Sequence, residues 1–259
     1  MPEGSARRLE LIALGGIPLV VPGEDLARTI ATAIAAGGLG LIDGDVVVIA
    51  QKIVSKAEGR LVRLADVEPS QRAIDLAREA AKDPRVVQLI LAESREVLRC
   101  RPGAIIVEDR RGLVLANAGI DASNVRHPDG SEAVLLLPED PDASAALIRA
   151  RLEAASGRAI GVVINDSIGR AWRNGTVGTA IGVSGLPALL DLRGAPDLFG
   201  RRLQTTELGL ADELAAAASL LMGQAGEGCP AVLARGLPYA RREGKAGDLQ
   251  RPRSMDLFR

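Results

Sequence analysis

Asp121 and Asp166 sit in surroundings that suit a hard cation. The first lies in Asn117-Ala-Gly-Ile-Asp121-Ala-Ser-Asn124, the second in Asn165-Asp166-Ser167-Ile-Gly-Arg170. Both segments read as strand ends, with oxygen-bearing side chains and glycines close by. Magnesium is usually held by one or two carboxylates plus phosphates and water, rather than by a full protein cage. The pair therefore points to a site for a phosphorylated molecule, with the Ser167 hydroxyl as a further oxygen ligand. Taken singly, an aspartate just past a strand is equally a turn former or a helix cap.

Cationic residues stand where such a ligand would need them. Gln51-Lys52-Ile-Val-Ser55-Lys56-Ala-Glu-Gly59 directly follows a buried-strand pattern over residues 45–50. The carboxyl end of a strand is where ligands tend to bind in open α/β sheets, and lysine there acts as a point charge for phosphate. The plain alternative is a solvated loop. Arg170 and Arg173 flank Trp172, the one tryptophan of the chain, and a guanidinium binds carboxylate or phosphate bidentately. A surface cation stacked on the indole is the competing reading. Gln204-Thr205-Thr206-Glu207-Leu-Gly209 reads as a helix start, whose free amides favour an anion, although Thr206 as a simple cap explains half of it. The one histidine, His127, lies in a turn-like Arg-His-Pro-Asp-Gly, poor support for a hydrolase triad. Zinc ligands are missing altogether.

Composition excludes several function classes. The chain has 259 residues, 32 basic and 33 acidic, for a formal net charge of -1, so bulk charge advertises neither nucleic acid nor a membrane surface. Aromatics make up 2%, which weakens any case for base-stacking platforms. Cys100 and Cys229 are too few and too isolated for a disulfide framework or a CxxC metal site. No secretory signal opens the chain, and apolar runs break well short of the ~20 residues of a membrane span. A cytoplasmic setting is the simplest expectation.

The elements that must position these residues alternate irregularly. Strands are expected at 9–14, 45–50, 160–164 and 231–234, and a hairpin at 104–116. Helices are expected at 25–36, at 71–82 capped by Ser70, from Asp83-Pro84 with Val86, Leu89, Ile90 and Val97 inward, at 143–155, and from about Thr206 to Met222. Residues 175–185 read as a glycine-rich stretch, and the basic tail from Arg241 as frayed. This mixture predicts an α+β fold of mixed sheets with flanking helices, a single unit over residues 1–259 with no clean internal boundary. Neither GxGxxG nor GxxxxGK[ST] is present, so a nucleotide would be bound in a less common way.

Together these ordered motifs resemble the coenzyme F420:L-glutamate ligase (F420-0:gamma-glutamyl ligase) family. The resemblance runs from Gly16-Ile17-Pro18-Leu19 through the Gln51, Asn117 and Asp166 segments to Thr205-Thr206-Glu207-Leu-Gly-Leu-Ala-Asp212. It implies a GTP-dependent ligase with two divalent metals, Mg2+ or Mn2+, and potassium as an additional cation. By position, Asp121 and Asp166 would be catalytic metal ligands, with Ser167 on the second metal. Ile17, Pro18, Leu19, Val20, Gln51, Lys56, Asn124 and the segment around Glu207 would contact GTP, Lys56 also serving catalysis. Arg170 and Arg173 would hold carboxylates of L-glutamate or coenzyme F420-0. The chain departs at Gln51, often serine in the family, and at Ser167, often threonine. The implied architecture is an intertwined homodimer without the C-terminal flavin-dependent reductase domain of some relatives. Competing expectations are a ligase for another phosphorylated acid, and a metal-dependent GTP-binding protein or phosphohydrolase without ligase activity.

Overall fold

Val46, Val47, Val48 and Ile49 form a run of β-branched residues with no solvent access, and such a run makes a strand buried on both faces. In a computed structural model, which describes residues 7–125, 127 and 129–256, the run lies at the centre of the main sheet. In chain order the molecule begins with β1 (Glu10–Ala13), α1 (Leu26–Ala36), β2 (Val46–Ala50) and α2 (Gln51–Ala57). Next come β3 (Leu61–Arg63), α3 (Gln71–Ala80), α4 (Pro84–Ala92), β4 (Ser94–Arg101), β5 (Ala104–Asp109) and β6 (Val114–Ala116). The second half holds β7 (Ala133–Leu135), α5 (Pro141–Ser156), β8 (Gly161–Arg170), β9 (Arg173–Ser184), β10 (Leu190–Asp191), β11 (Glu207–Leu208), α6 (Leu210–Met222) and β12 (Ala231–Arg235). The architecture is α+β with mixed sheets and flanking helices.

The main sheet has the order β1-β12-β2-β8-β9, with β2 and β8 parallel and the other pairs antiparallel. Alternation along β2 splits the core. Val47 and Ile49 pack with Ile30 of α1 and Ile148 and Leu152 of α5 on one face, while Val46 and Val48 pack with Leu214 and Ala218 of α6 on the other. A separate apolar cluster joins α3 and α4 to β5, through Ala73, Ala77, Val87, Ile90, Ile105 and Val107. Largely buried charges hold this unit together and tie it to the segment before β3. Arg111 meets Asp109 at 2.9 Å and Glu93 at 3.2 Å, and Arg60 meets Glu93 at 3.1 Å.

Helix starts follow the expected chemistry. Asp25 accepts from the Arg28 amide at 3.3 Å, Ser70 from Ala73 at 3.3 Å, Asp83 from Arg85 at 2.8 Å and Asp140 from Ala143 at 3.0 Å. Four readings and one alternative, the solvated loop after residues 45–50, need correction. The segment after β2 is a helix, α2, which starts with no intervening residue, so its lysines are held rather than free in a loop. Val97 belongs to β4, because Glu93 closes α4 and the chain turns out to pair with β5. The glycine-rich stretch is part of β9, where Gly178 and Gly182 let α6 and α5 lie against the backbone. Thr206 does not open α6: Glu207 and Leu208 pair with Asp191 and Leu190, and the helix begins at Leu210 behind Gly209. The tail is anchored, not frayed. Arg241 donates to the Ala159 carbonyl at 3.0 Å, Glu243 accepts from the Gly185 amide at 3.2 Å, and Ala246 is buried with its amide on Asp142 at 3.0 Å.

Candidate active site

Three parts of the chain meet at the carboxyl end of β2 and the middle of β8, where Ala50 pairs with Asn165. Asp166 lies inside β8, opposite Thr179 of β9, rather than beyond the strand's end. Its Oδ1 accepts from the Ser167 amide at 2.8 Å. Because α2 grows straight out of β2, Lys52 and Lys56 fall four residues apart on one helix face. Lys52 Nζ lies 2.7 Å from Asp121 Oδ2 and donates to Ser123 Oγ at 2.8 Å. Lys56 Nζ donates to the Asn124 carbonyl at 3.0 Å.

The segment carrying Asp121 is fixed by its own backbone. Asp121 and Leu135 exchange amide–carbonyl bonds at 3.1 and 2.8 Å, and Ser123 donates its amide to Asp121 Oδ1 at 2.6 Å. Asn117 and Asn124 both adopt φ 55°, a left-handed conformation that asparagine tolerates better than most residues. Asn124 Nδ2 then donates to the Ala225 carbonyl at 2.9 Å, which ties the loop after α6 to the site.

The electrostatics of the two carboxylates differ. Burial pushes the Asp166 carboxyl up to about 6, and the nearby Asp121 charge adds to the rise. Asp166 is half-buried and lines the cavity. Burial also works against the Asp121 anion, but hydrogen bonds from Lys52 and Ser123 outweigh it and hold this carboxyl below its usual range. Burial, then Lys52, lowers the Lys56 ammonium. Asp121 is neutralised by Lys52 at 2.7 Å, whereas Asp166 and Lys56 form no ion pair among the described residues. The donor set fits a divalent cation carrying phosphate. No third carboxylate, histidine or cysteine joins a metal-sized cluster among the described residues, so water and phosphate would complete the shell, as magnesium prefers.

These groups open on a cavity of about 390 Å3. Ile17, Pro18, Leu19 and Val20 form one wall, and Gln51, Lys52, Lys56, Asn124, Asp166 and Ser167 line the rest together with residues 222–226 and 228–230. Gln51 is buried, its side chain accepting from Ser55 Oγ at 2.9 Å. Residues 16–236 match the F420-0:Gamma-glutamyl ligase family. The chain belongs to this family. The coenzyme F420:L-glutamate ligase of Methanothermobacter thermautotrophicus is 49% identical over 253 residues, covering 97% of this chain and 99% of the relative. That of Methanopyrus kandleri is 48% identical over 258 residues, with 97% and 99% covered. That of Methanocaldococcus jannaschii is 44% identical over 255 residues, with 98% of each chain covered.

The stretch matched to the F420-0:gamma-glutamyl ligase family contains every residue of the cavity wall. Several expected positions nevertheless lie outside that wall. Asp121 reaches it only through Lys52. Glu207 is exposed on β11 and pairs with Arg193 at 3.3 Å. Arg170 and Arg173 oppose one another at the exposed end of the β8–β9 hairpin, also away from the lining. His127 pairs with Asp129 instead of meeting a nucleophile. Asn165, read in the sequence only as a polar neighbour of Asp166, lines the cavity, and so do Ser219, Met222, residues 223–226 and Gly228, which were not singled out by sequence reading. The signal for that loop was its glycines: Gly223 and Gly228 take φ 71° and 67°, allowing backbone to fold over the cavity.

Proposed function

We propose that this protein is a GTP-dependent ligase. It attaches L-glutamate to the lactyl carboxylate of coenzyme F420-0 and then adds gamma-linked glutamates. One observation carries the reading: Lys56, Asn124, Asp166 and Ser167 share a cavity in a chain 49% identical, over 253 residues, to a coenzyme F420:L-glutamate ligase.

A carboxylate does not condense with an amine unaided, because its oxygen is a poor leaving group. In the proposed reaction an oxygen of the acceptor carboxylate attacks the γ-phosphorus of GTP. The bond to the β–γ bridging oxygen breaks, and GDP leaves with that electron pair. The glutamate nitrogen then attacks the acyl carbon, the bond to the phosphate oxygen breaks, phosphate departs, and the nitrogen gives up its proton to solvent. Lys56, and Lys52 if it moves from Asp121, supply fixed positive charge along the phosphate chain. Asp121, Asp166 and Ser167 would hold one or two Mg2+ or Mn2+ ions, which when bound neutralise charge on the transferring phosphoryl group. Residues 17–20, 223–226 and 228 flank the cavity in which the phosphates would lie. No side chain acts as a covalent nucleophile.

The same reading extends to a homodimer. Its support is apolar surface on two arms, with Trp172 88%, Leu198 99% and Phe199 90% exposed, a pattern typical of surfaces that another chain covers. Phosphate release from GTP in the presence of Mg2+ tests the chemistry. Release that requires both coenzyme F420-0 and L-glutamate supports ligation, whereas equal release without either would replace the ligase with a phosphohydrolase.

A further inference from the structure

Lys52 stands where a cation on Asp121 would have to stand. Its Nζ lies 2.7 Å from Asp121 Oδ2 and donates to Ser123 Oγ at 2.8 Å. Ser123 closes the cluster, its amide donating to Asp121 Oδ1 at 2.6 Å and its hydroxyl to Oδ2 at 3.1 Å. Both carboxylate oxygens are therefore engaged. A divalent ion on Oδ2 must displace the ammonium, and one on Oδ1 would be repelled by it at close range.

The surroundings make that displacement easy. The side chains of Lys52 and Asp121 are 27% and 34% exposed, and an ion pair so open to water is worth little. Lys52 lines the cavity, whereas Asp121 does not. Lys56 lines it too, four residues further along the same helix. An ammonium released from Asp121 thus stays beside a second cation, in the space where phosphates would lie. Charge balance favours the exchange. Asp121 and Asp166 lie within electrostatic range of each other and of Lys52, so one ammonium faces two carboxylates. A divalent ion offsets both and leaves Lys52 to pair with a phosphate.

We propose that Lys52 is a stand-in cation for Asp121. It holds the carboxylate while the metal is absent, and passes to the phosphates of the nucleotide when a divalent ion arrives. Metal and nucleotide binding are then coupled through one side chain. This inference rests on the metal and GTP reading above.

Calorimetric titrations of the full chain with Mn2+ alone, and with GTP at saturating Mn2+, test the exchange. Lys52→Met, checked for folding by its melting temperature, should bind Mn2+ alone roughly fivefold more tightly than wild type, because no ammonium competes. The same variant should bind GTP about tenfold more weakly. Lost packing would weaken both ligands, so the opposite signs mark the exchange. Lys52→Gln should behave alike, and replaces the methionine variant if that one fails to fold. In an Asp121→Asn background the gain in Mn2+ affinity should vanish. Tighter Mn2+ with unchanged GTP affinity would mean that Lys52 never leaves Asp121. Unchanged Mn2+ affinity would mean that it never opposes the metal. Either result overturns the proposal while leaving the GTP site in place. Wild-type protein that binds no Mn2+, with or without GTP, would remove the metal reading itself.

Discussion

Replacing Asp166 by asparagine should stabilise the metal-free protein, though it disables the site. The Asp166 carboxyl is raised from 3.8 to about 6 by burial and by Asp121, so the native fold holds a proton that the unfolded chain releases. A raised carboxyl contributes stability that is fully present below the unfolded value near 3.8 and is lost as pH climbs through about 6. The span corresponds to at most about 3 kcal/mol against the ionised form, and cavity water would trim it to roughly 1.5–3 kcal/mol. Asparagine keeps an oxygen for the Ser167 amide, bonded at 2.8 Å in the wild type, and removes the charge that Asp121 opposes. Asp166→Asn should therefore melt higher than wild type by roughly 3–12 °C in EDTA at pH 7.5, at ~2–4 °C per kcal/mol for a chain of this size. The gap should close toward pH 4. Asp142 and Asp212 are also raised by burial, but they titrate in both proteins and cancel in the difference. Adding Mg2+ and GTP should raise the wild-type melting temperature and leave the variant's unmoved. A variant that melts below wild type in EDTA, with the same pH slope, would refute the electrostatic reasoning.

Three other changes test separate parts of the account. Lys56→Ala should weaken GTP by roughly 10-fold or more, the worth of a charge-assisted hydrogen bond, and leave the KM for glutamate little changed; unchanged GTP affinity in a titration would remove Lys56 from the site. Glu207→Ala should bind GTP within about twofold of wild type, because Glu207 pairs with Arg193 outside the cavity wall, and a tenfold loss would restore it to nucleotide binding. Gly182→Ala should cost about 1–3 kcal/mol in urea unfolding, since a Cβ there would meet the Pro141 carbonyl oxygen at 2.5 Å; a neutral result would mean that α5 yields easily.

Local chemistry made much of this molecule readable in advance. Asp25, Ser70 and Asp83 sit before apolar periods and cap the helices they announce, and Val46 to Ile49 could hardly be anything but a core strand. Lys52, Lys56, Asp166 and Ser167 were legible because each follows an apolar strand run beside small or polar neighbours, although β8 continues through Asp166 and Ser167. What escaped was set by tertiary contact. The stretch around Gly178 and Gly182 reads as loop until α6 and α5 are seen lying against it, where any side chain would collide. Glu207 reads as a helix start because Thr206 is a good cap, yet pairing with Asp191 draws it into β11 instead. Asn165 reads in sequence only as a polar neighbour of Asp166, since its contact with Met222, 57 residues away, is set by the fold.

Mass spectrometry of coenzyme F420-0 incubated with the protein, GTP, L-glutamate and Mg2+ or Mn2+ tests the central claim most directly. The account predicts an acceptor heavier by one or more glutamyl groups, formed only when both GTP and metal are present. An acceptor of unchanged mass, with GTP intact or merely hydrolysed, would contradict it.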